Sequence, residues 1–181
     1  MSSSLTAAPS DVQGSDARFN TIPSLDGAPP LVTVRHLTKT YRGRPALCDL
    51  SLSLPAGRIV GLMGANGCGK TTLLKILAGV LADYEGQVRI AGHAPGLQSK
   101  ALVSFLPDAD FLATSLTPPR AIAQFSRLFA DFDAAKARRL VDFFALPAER
   151  SIKEMSKGMG EKLRIALMMS RRARVYLLDE P

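Results

Sequence analysis

The chain has 181 residues, a formal net charge of +7 and 46% apolar residues, which suffices for one globular domain with a small subdomain. The sequence predicts no membrane-spanning helix, since a run of about 18 apolar residues is missing, and no secretory signal at its start. Its two cysteines, Cys48 and Cys68, argue against a disulfide framework and favour a reducing, cytosolic setting.

The positive charges are scattered or lie on predicted helices, as at Arg138–Arg139 and Arg171–Arg172, without aromatic residues between them. This pattern is typical of a solvated surface rather than of a nucleic-acid-binding face. A nucleotide polyanion and a nearby anionic bilayer are both compatible with it. We therefore expect no nucleic acid among the partners.

Residues 1–30 are rich in Ser, Ala, Pro, Gly and Asp and hold few large apolar side chains. Such a segment cannot bury enough apolar surface to offset the entropy that it loses on ordering. We predict a disordered tail over 1–30 and an α/β domain over 31–181.

Two antiparallel strands are predicted next, at Leu31–Leu37 and Leu47–Leu54, because apolar and polar residues alternate there. Between them lies a polar turn region, Lys39–Pro45, which carries one aromatic side chain, Tyr41. The short apolar run Arg58–Met63 then predicts a buried strand.

A glycine-rich loop follows that strand and precedes Leu73–Gly79, which is apolar at helical spacing. This phosphate loop consists of Gly64, Ala65, Asn66, Gly67, Cys68, Gly69, Lys70, Thr71 and Thr72. It fits the G-x-x-x-x-G-K-[ST] pattern, in which backbone N–H groups and a helix N-terminus surround one anion. Lys70 is expected to reach the β- and γ-phosphates, and the Thr71 hydroxyl to bind Mg²⁺.

Further strands are predicted at Gln87–Gly92 and Leu102–Leu106. Two helices follow, with N-caps at Thr117 and Asp133. We expect them to form a helical insertion over about 115–155, between two halves of an α/β core.

The second half begins with Met155–Met159, which we name the signature loop. Ser156 and Gly158 open a helix there, and a hydroxyl, backbone N–H groups and a helix N-terminus together can bind an anion. The same residues also fit an ordinary Ser N-cap followed by a Gly turn.

Two carboxylates end the last predicted strand, Val175–Glu180. Mg²⁺ prefers oxygen ligands, so Asp179 at a strand end beside a phosphate loop is a candidate magnesium ligand. Glu180 is a candidate for polarising a water that attacks the γ-phosphorus.

Together these motifs resemble the ATP-binding cassette family, specifically the nucleotide-binding subunit of an ABC transporter. The phosphate loop corresponds to Walker A, Met155–Met159 to the family signature, and Val175–Asp179 to Walker B, followed by Glu180 as the catalytic glutamate. Tyr41 matches the aromatic residue that stacks on adenine. The resemblance covers roughly residues 31–181.

The resemblance implies a fold: a P-loop NTPase core of ABC type with an N-terminal antiparallel β subdomain and a helical insertion subdomain. It implies that two subunits bind two ATP molecules head to tail, each between the Walker A of one subunit and the signature loop of the other. It also implies that ATP hydrolysis with Mg²⁺ drives a separate transmembrane subunit, and that the chain lies in the cytoplasm, peripheral to the inner face of the cell membrane.

The sequence departs from the family pattern after Leu106-Pro107, where the family has a glutamine that senses Mg²⁺ and contacts the membrane subunit. Here Asp108 stands at that position. A carboxylate can hold Mg²⁺ directly or through water, although its side chain is shorter. Asp108 is therefore a third candidate magnesium ligand.

The signature loop also departs, because Lys157 and Met159 replace a glycine and a glutamine of the family sequence. Ser156 and Gly158 remain, so we expect the phosphate contact to persist. The S-K-G-M form resembles that of bacterial ABC exporters, which favours export.

Family members continue beyond Walker B into a further core strand and a switch histidine, whereas this sequence stops at Pro181. That strand would lie between the Walker A and Walker B strands, and both would otherwise have unpaired apolar edges. The resemblance thus predicts a core that is incomplete at the C-terminus, a fragment with marginal stability and impaired hydrolysis.

Two alternatives stay open. A soluble ABC ATPase acting on ribosomes or DNA usually carries tandem cassettes or a long insertion, and this chain has one cassette with a short insertion. A remnant that binds nucleotide without hydrolysing it is also compatible with the sequence.

Overall fold

In the computed structural model, which describes residues 3–6, 20–21 and 29–179, the chain divides into two units, residues 1–100 and 101–181. Each unit contains part of the predicted α/β core. Glu180 and most of residues 1–28 lie outside the described residues.

The first unit is built on a long antiparallel hairpin of β3 (Val32–Tyr41) and β4 (Arg44–Leu54). The two turn residues, Arg42 and Gly43, both have positive φ, 48° and 78°. Such turns match the twist of the flanking strands. The strands therefore extend into the segment that the sequence predicts as a turn region, and Tyr41 ends a strand instead of lying in a loop.

β3 contains a bulge. One extra residue in β3 lies between the pairs Val34–Leu52 and Leu37–Leu50, and His36 has a φ of 51°. The bulge shifts the alternation, so that Val32 and Val34 are buried before it and Leu37 and Lys39 after it.

The remaining strands of the first unit flank this hairpin or precede the phosphate loop. β6 (Glu85–Ile90) pairs antiparallel with β3. β5 (Val60–Met63) leads into the phosphate loop and into α1 (Lys70–Leu77), whose Leu73, Ile76 and Leu77 are buried. A short α2 (Leu97–Lys100) ends the unit.

The predicted disordered tail is partly contradicted. β1 (Ser3–Thr6) pairs parallel with β5, and β2 (Asn20–Thr21) pairs parallel with β4. Composition cannot reveal this pairing, because it depends on open strand edges elsewhere in the chain. The prediction was wrong for these six residues and stays a prediction for the others.

The second unit combines two parallel strands with three helices. β7 (Val103–Leu106) pairs with β8 (Val175–Leu178). Between them in sequence come α3 (Pro118–Leu128), α4 (Ala134–Phe143) and α5 (Lys157–Met169). No helix in the described ranges is both long and apolar enough to cross a bilayer.

The predicted helix starts are confirmed. Thr117 is the N-cap residue of α3, with Pro118 as its first residue. The Asp133 carboxylate caps α4 by accepting a hydrogen bond from the Lys136 N–H at 2.8 Å, and this bond is the main reason that the pKa of Asp133 is below its ordinary value. Sequence rules locate helix starts well because the orphan N–H groups of the first turn need acceptors.

An aromatic cluster fills the core of the second unit. The Phe125 ring lies 5.4 Å from that of Phe129 and 5.6 Å from that of Phe132, between centroids. Leu163 and Leu167 of α5 are fully buried in the same core. The apolar faces of α3, α4 and α5 therefore serve packing.

Truncating Phe125 tests this packing. Phe125 is 4% exposed, so Phe125→Ala should lower the free energy of unfolding by about 3–5 kcal/mol, measured by urea denaturation. Phe143 is 79% exposed, and Phe143→Ala should change it by only about 0.5 kcal/mol. Similar losses in both variants would contradict the packing that we describe.

Candidate functional site

The phosphate loop has the backbone form that an anion cradle requires. Gly67 and Gly69 have φ values of 81° and 97°, a region that residues with a Cβ rarely adopt. Between them, the Cys68 N–H donates to the Ala65 carbonyl at 3.2 Å. The loop thus makes a tight turn into α1.

Gly69 is fixed by space as well as by φ. A Cβ at Gly69 would lie 2.2 Å from the Ala46 carbonyl oxygen and 2.8 Å from Leu47 Cδ2. The phosphate loop therefore packs directly against the beginning of β4, and only glycine permits this approach.

The start of α1 has the charge that an anion needs. Gly69 is the N-cap residue without a side-chain cap, and the first turn contains no acidic residue. The Lys70 ammonium donates to the carbonyls of Gly64 at 2.9 Å and Ala65 at 3.1 Å, so it lies over the loop. A helix N-terminus beside an ammonium suits a phosphate group. Thr71 follows as the second helical residue, half-buried.

Tyr41 lies at the end of the hairpin on which the phosphate loop packs. Tyr41 pairs with Arg44 at the end of the hairpin, and Lys39 pairs with Leu47. Leu47 is the residue that Gly69 approaches. The Tyr41 ring is 45% exposed, so a planar ligand can contact it. The predicted adenine platform and the predicted phosphate cradle thus share one end of the hairpin.

Sequence reasoning missed Lys39, whose Nζ lies 4.9 Å from the centroid of the Tyr41 ring. Residues two apart in a strand share a face, so the signal was present in Lys39-Thr40-Tyr41. We assigned those residues to a turn, and a turn does not predict which side chains are neighbours.

In the second unit, the signature loop leads into α5. The Ser156 hydroxyl caps the helix by accepting a hydrogen bond from the Met159 N–H at 3.3 Å. A Cβ at Gly158 would meet nothing within 4 Å. Ser156, Lys157 and Gly158 are all exposed, so a partner or ligand can reach this helix start.

A short hydrogen-bonded turn directly precedes the signature loop. Ile152–Glu154 form a 3₁₀ helix, and the Glu154 carboxylate accepts hydrogen bonds from the Ser151 hydroxyl at 2.5 Å and the Ser151 N–H at 2.8 Å. These two bonds lower the pKa of Glu154, the hydroxyl contributing most.

The two candidate magnesium ligands of the second unit follow neighbouring strands. Asp179 comes directly after β8, is 3% exposed and donates its N–H to the Leu106 carbonyl at 3.0 Å. Asp108 comes two residues after β7 and is exposed. Parallel strands end at the same edge, so both carboxylates belong to one edge of this sheet. Within residues 29–179 no cluster of three or more His, Cys, Asp or Glu side chains is placed to hold a metal ion.

A cavity of about 480 Å³ lies beside the signature loop and is lined by Asp108, Ser156 and Lys157 among others. An ion pair between Arg164 of α5 and Asp110 borders it. The pair joins the segment after β7 to α5. No sequence motif identifies it, because its partners are far apart in the chain.

Two glycine substitutions test the packing of the phosphate loop. Gly67→Ala should destabilise the chain by about 1–2 kcal/mol, since a Cβ is strained at its positive φ but would meet no atom within 4 Å. Gly69→Ala should cost more, because its Cβ would also overlap the Ala46 carbonyl. Thermal unfolding of both variants measures the difference, and equal melting temperatures would contradict the close approach.

The turn before the signature loop predicts a pH effect. Because the folded-state pKa of Glu154 is lowered, its stabilising contribution is present above the ordinary glutamate pKa and is lost as the pH falls through the lowered value. In Ser151→Ala the pKa of Glu154 should rise towards its ordinary value, measured by NMR titration of its carboxyl carbon. Ser126→Ala, a hydroxyl loss elsewhere, should leave it unchanged. An unshifted pKa in Ser151→Ala would exclude the hydroxyl as the cause.

The chain matches the family model described as ABC transporter over residues 47–181. It is 28% identical over 153 residues to the ABC transporter ATP-binding protein YtrB of Bacillus subtilis, covering 83% of this chain and 52% of that protein. It is 34% identical over 164 residues to the spermidine/putrescine import ATP-binding protein PotA of Legionella pneumophila, covering 84% of this chain and 44% of that protein. The chain thus spans about half the length of these relatives.

A third relative is the aliphatic sulfonates import ATP-binding protein SsuB 1 of Xanthomonas axonopodis pv. citri, with 35% identity over 79% of this chain and 59% of that protein. Among solved structures, an ATP-binding subunit of an ABC transporter superposes with a TM-score of 0.73 at 25% identity, over 83% of this chain and 66% of that one. These matches confirm the predicted fold class, and the chain therefore belongs to the ABC transporter family.

Proposed function

We propose that this chain binds ATP with Mg²⁺ and hydrolyses it as the nucleotide-binding subunit of an ABC transporter. The observation that carries the proposal is the packing of the phosphate loop on the hairpin end that presents Tyr41. A base-stacking ring and a triphosphate cradle on one rigid support suit a nucleoside triphosphate.

In this proposal the first unit binds ATP. Tyr41 stacks on adenine, the backbone N–H groups of the phosphate loop donate to the phosphates, and Lys70 binds the β- and γ-phosphates. The Thr71 hydroxyl is a magnesium ligand. Mg²⁺, when bound, neutralises negative charge on the phosphates during transfer.

In the second unit, the residues that match the family motifs are assigned the family roles. Asp179 takes the family role of magnesium ligand, and Asp108 takes that of the missing glutamine, holding Mg²⁺ directly or through water. Glu180, outside the described residues, polarises the attacking water. Ser156 and Gly158 bind the triphosphate held by a second ATP-binding subunit, since their helix start is exposed and capped by a hydroxyl.

We further propose the domain limits predicted from sequence, with a helical insertion over about 115–155, and a place on the inner face of the cell membrane beside a transmembrane subunit. The predicted export direction has no support from the relatives that we compared. PotA and SsuB 1 are named as import proteins. We therefore assign no direction of transport from the signature loop, and we propose that the membrane subunit determines that direction.

A soluble ABC ATPase that acts on ribosomes or DNA is the alternative. The transport-related names of YtrB, PotA and SsuB 1 favour the transporter. Co-expression with an ABC transmembrane subunit separates the two functions. The transporter function requires stimulation of ATP hydrolysis by that membrane protein in vesicles, whereas stimulation by ribosomes or DNA alone supports the alternative.

Nucleotide binding is tested at Lys70. A hydrogen bond between charged groups contributes about 1.5–3 kcal/mol, so Lys70→Ala should weaken MgATP binding by about ten- to hundredfold. Isothermal titration calorimetry measures the affinity. Lys75 lies on the same helix and is exposed, so Lys75→Ala is the matched control and should bind as the unaltered chain does. Unchanged affinity in Lys70→Ala would place ATP elsewhere.

A further inference from the structure

Lys39 is a buried charge that the roles assigned so far do not use. Its side chain is 6% exposed, although lysine is almost never buried without a partner. It occupies the position after Leu37 on the inward face of β3, which apolar side chains fill elsewhere in the strand. A lysine there calls for a specific explanation.

The backbone places Lys39 inside through the bulge at His36. In a regular strand every second side chain faces the same side, so after Val32 and Val34 the residues at positions 36, 38 and 40 would face inward. Lys39 would then face outward. The bulge reverses the alternation, so Lys39 is buried and lies on the side of the strand where it meets Tyr41.

Two groups meet the Lys39 ammonium. Its Nζ lies 2.7 Å from Asp83 Oδ2 and 4.9 Å from the centroid of the Tyr41 ring. The second distance is within the range of a cation–π contact. The Asp83 side chain is 94% exposed, so the carboxylate fixes the ammonium without being buried itself.

Asp83 connects this contact to the phosphate loop. It lies between α1, which the phosphate loop opens, and β6. Lys39 thus links the Tyr41 ring to the segment that follows α1. Leu47 pairs with Lys39 across the hairpin and lies against Gly69 of the phosphate loop. Lys39 is therefore held by Asp83 and itself lies over the Tyr41 ring.

We propose that Lys39 is a positioning residue for nucleobase binding, acting through Tyr41. The ammonium lies over one face of the ring and holds its orientation, and adenine stacks on the opposite face. A cation over one face draws π-electron density towards itself, so the opposite face repels the electron-rich purine less. This inference rests on the proposed function, because only there does Tyr41 contact adenine.

A merely structural role for Lys39 makes a different prediction. If the ammonium only ties the hairpin to Asp83, its loss should weaken every ligand of the site or lower stability alone. If it acts through the Tyr41 ring, its loss should weaken only ligands that carry a base. MgATP and Mg²⁺-tripolyphosphate, which has no base, separate these cases.

The test measures the affinity of the full chain for both probes by isothermal titration calorimetry. Lys39→Met keeps the unbranched stem and removes the charge. The ratio of ATP affinity to tripolyphosphate affinity should fall, by at most about thirtyfold, since a desolvated cation–π contact sets the upper limit. The tripolyphosphate affinity itself should stay unchanged.

A double-mutant cycle makes the test specific to the ring. In a Tyr41→Leu background, Lys39→Met should change the ratio no further, because the group through which it acts is absent. An equal fall in both backgrounds, or a fall in tripolyphosphate affinity that matches the fall in ATP affinity, would overturn the inference.

A second variant keeps the inference testable if Lys39→Met does not fold. Asp83→Ala removes the exposed carboxylate that accepts from the Lys39 ammonium, and it should lower the ratio in the same direction. Glu85→Ala removes another exposed carboxylate nearby, so it is the matched control and should leave the ratio unchanged. An unaltered ratio in Asp83→Ala would overturn the inference.

The failures are distinguishable. If the unaltered chain binds neither probe, the proposed function fails, and this inference fails with it. If it binds both probes and Lys39→Met leaves the ratio unchanged, only the positioning role of Lys39 is overturned.

Discussion

The contact between Gly69 and the Ala46 carbonyl is the constraint on which the rest of the first unit depends. It sets how far the phosphate loop can move from the hairpin, and it does so through backbone atoms, which cannot rotate away as side chains can. The position of α1 follows from it, since Lys70 begins the helix one residue later. The separation of the hairpin and the start of α1 is thereby set mainly by backbone atoms.

The two helix starts that the sequence singles out are built differently. Gly69 leaves the N-terminus of α1 without a side-chain cap, whereas Ser156 caps α5 with its hydroxyl oxygen. Once that oxygen accepts the Met159 N–H, the hydroxyl hydrogen remains available to donate to another acceptor. The first helix start thus offers backbone donors, and the second offers a side-chain hydroxyl as well.

Sequence reasoning located the phosphate loop, the helix N-caps and the strands because each depends on neighbours in the chain. It failed where distant segments meet. The pairing of Ser3–Thr6 with β5 and the ion pair of Arg164 with Asp110 have no local signature. Lys39 is an intermediate case, since one bulge at His36 decides whether it faces solvent or Tyr41, and single-residue bulges are not visible in an alternating pattern.

The hydrogen bonds of Lys70 to the carbonyls of Gly64 and Ala65 have a consequence for selectivity. Carbonyl oxygens carry partial charge and phosphate oxygens carry nearly full charge, so an incoming anion competes with the loop for the ammonium. A singly charged anion gains little in that exchange, whereas a polyanion offers several strong acceptors at once. The carbonyls of Gly64 and Ala65 are therefore the acceptors that an incoming anion must displace from the Lys70 ammonium.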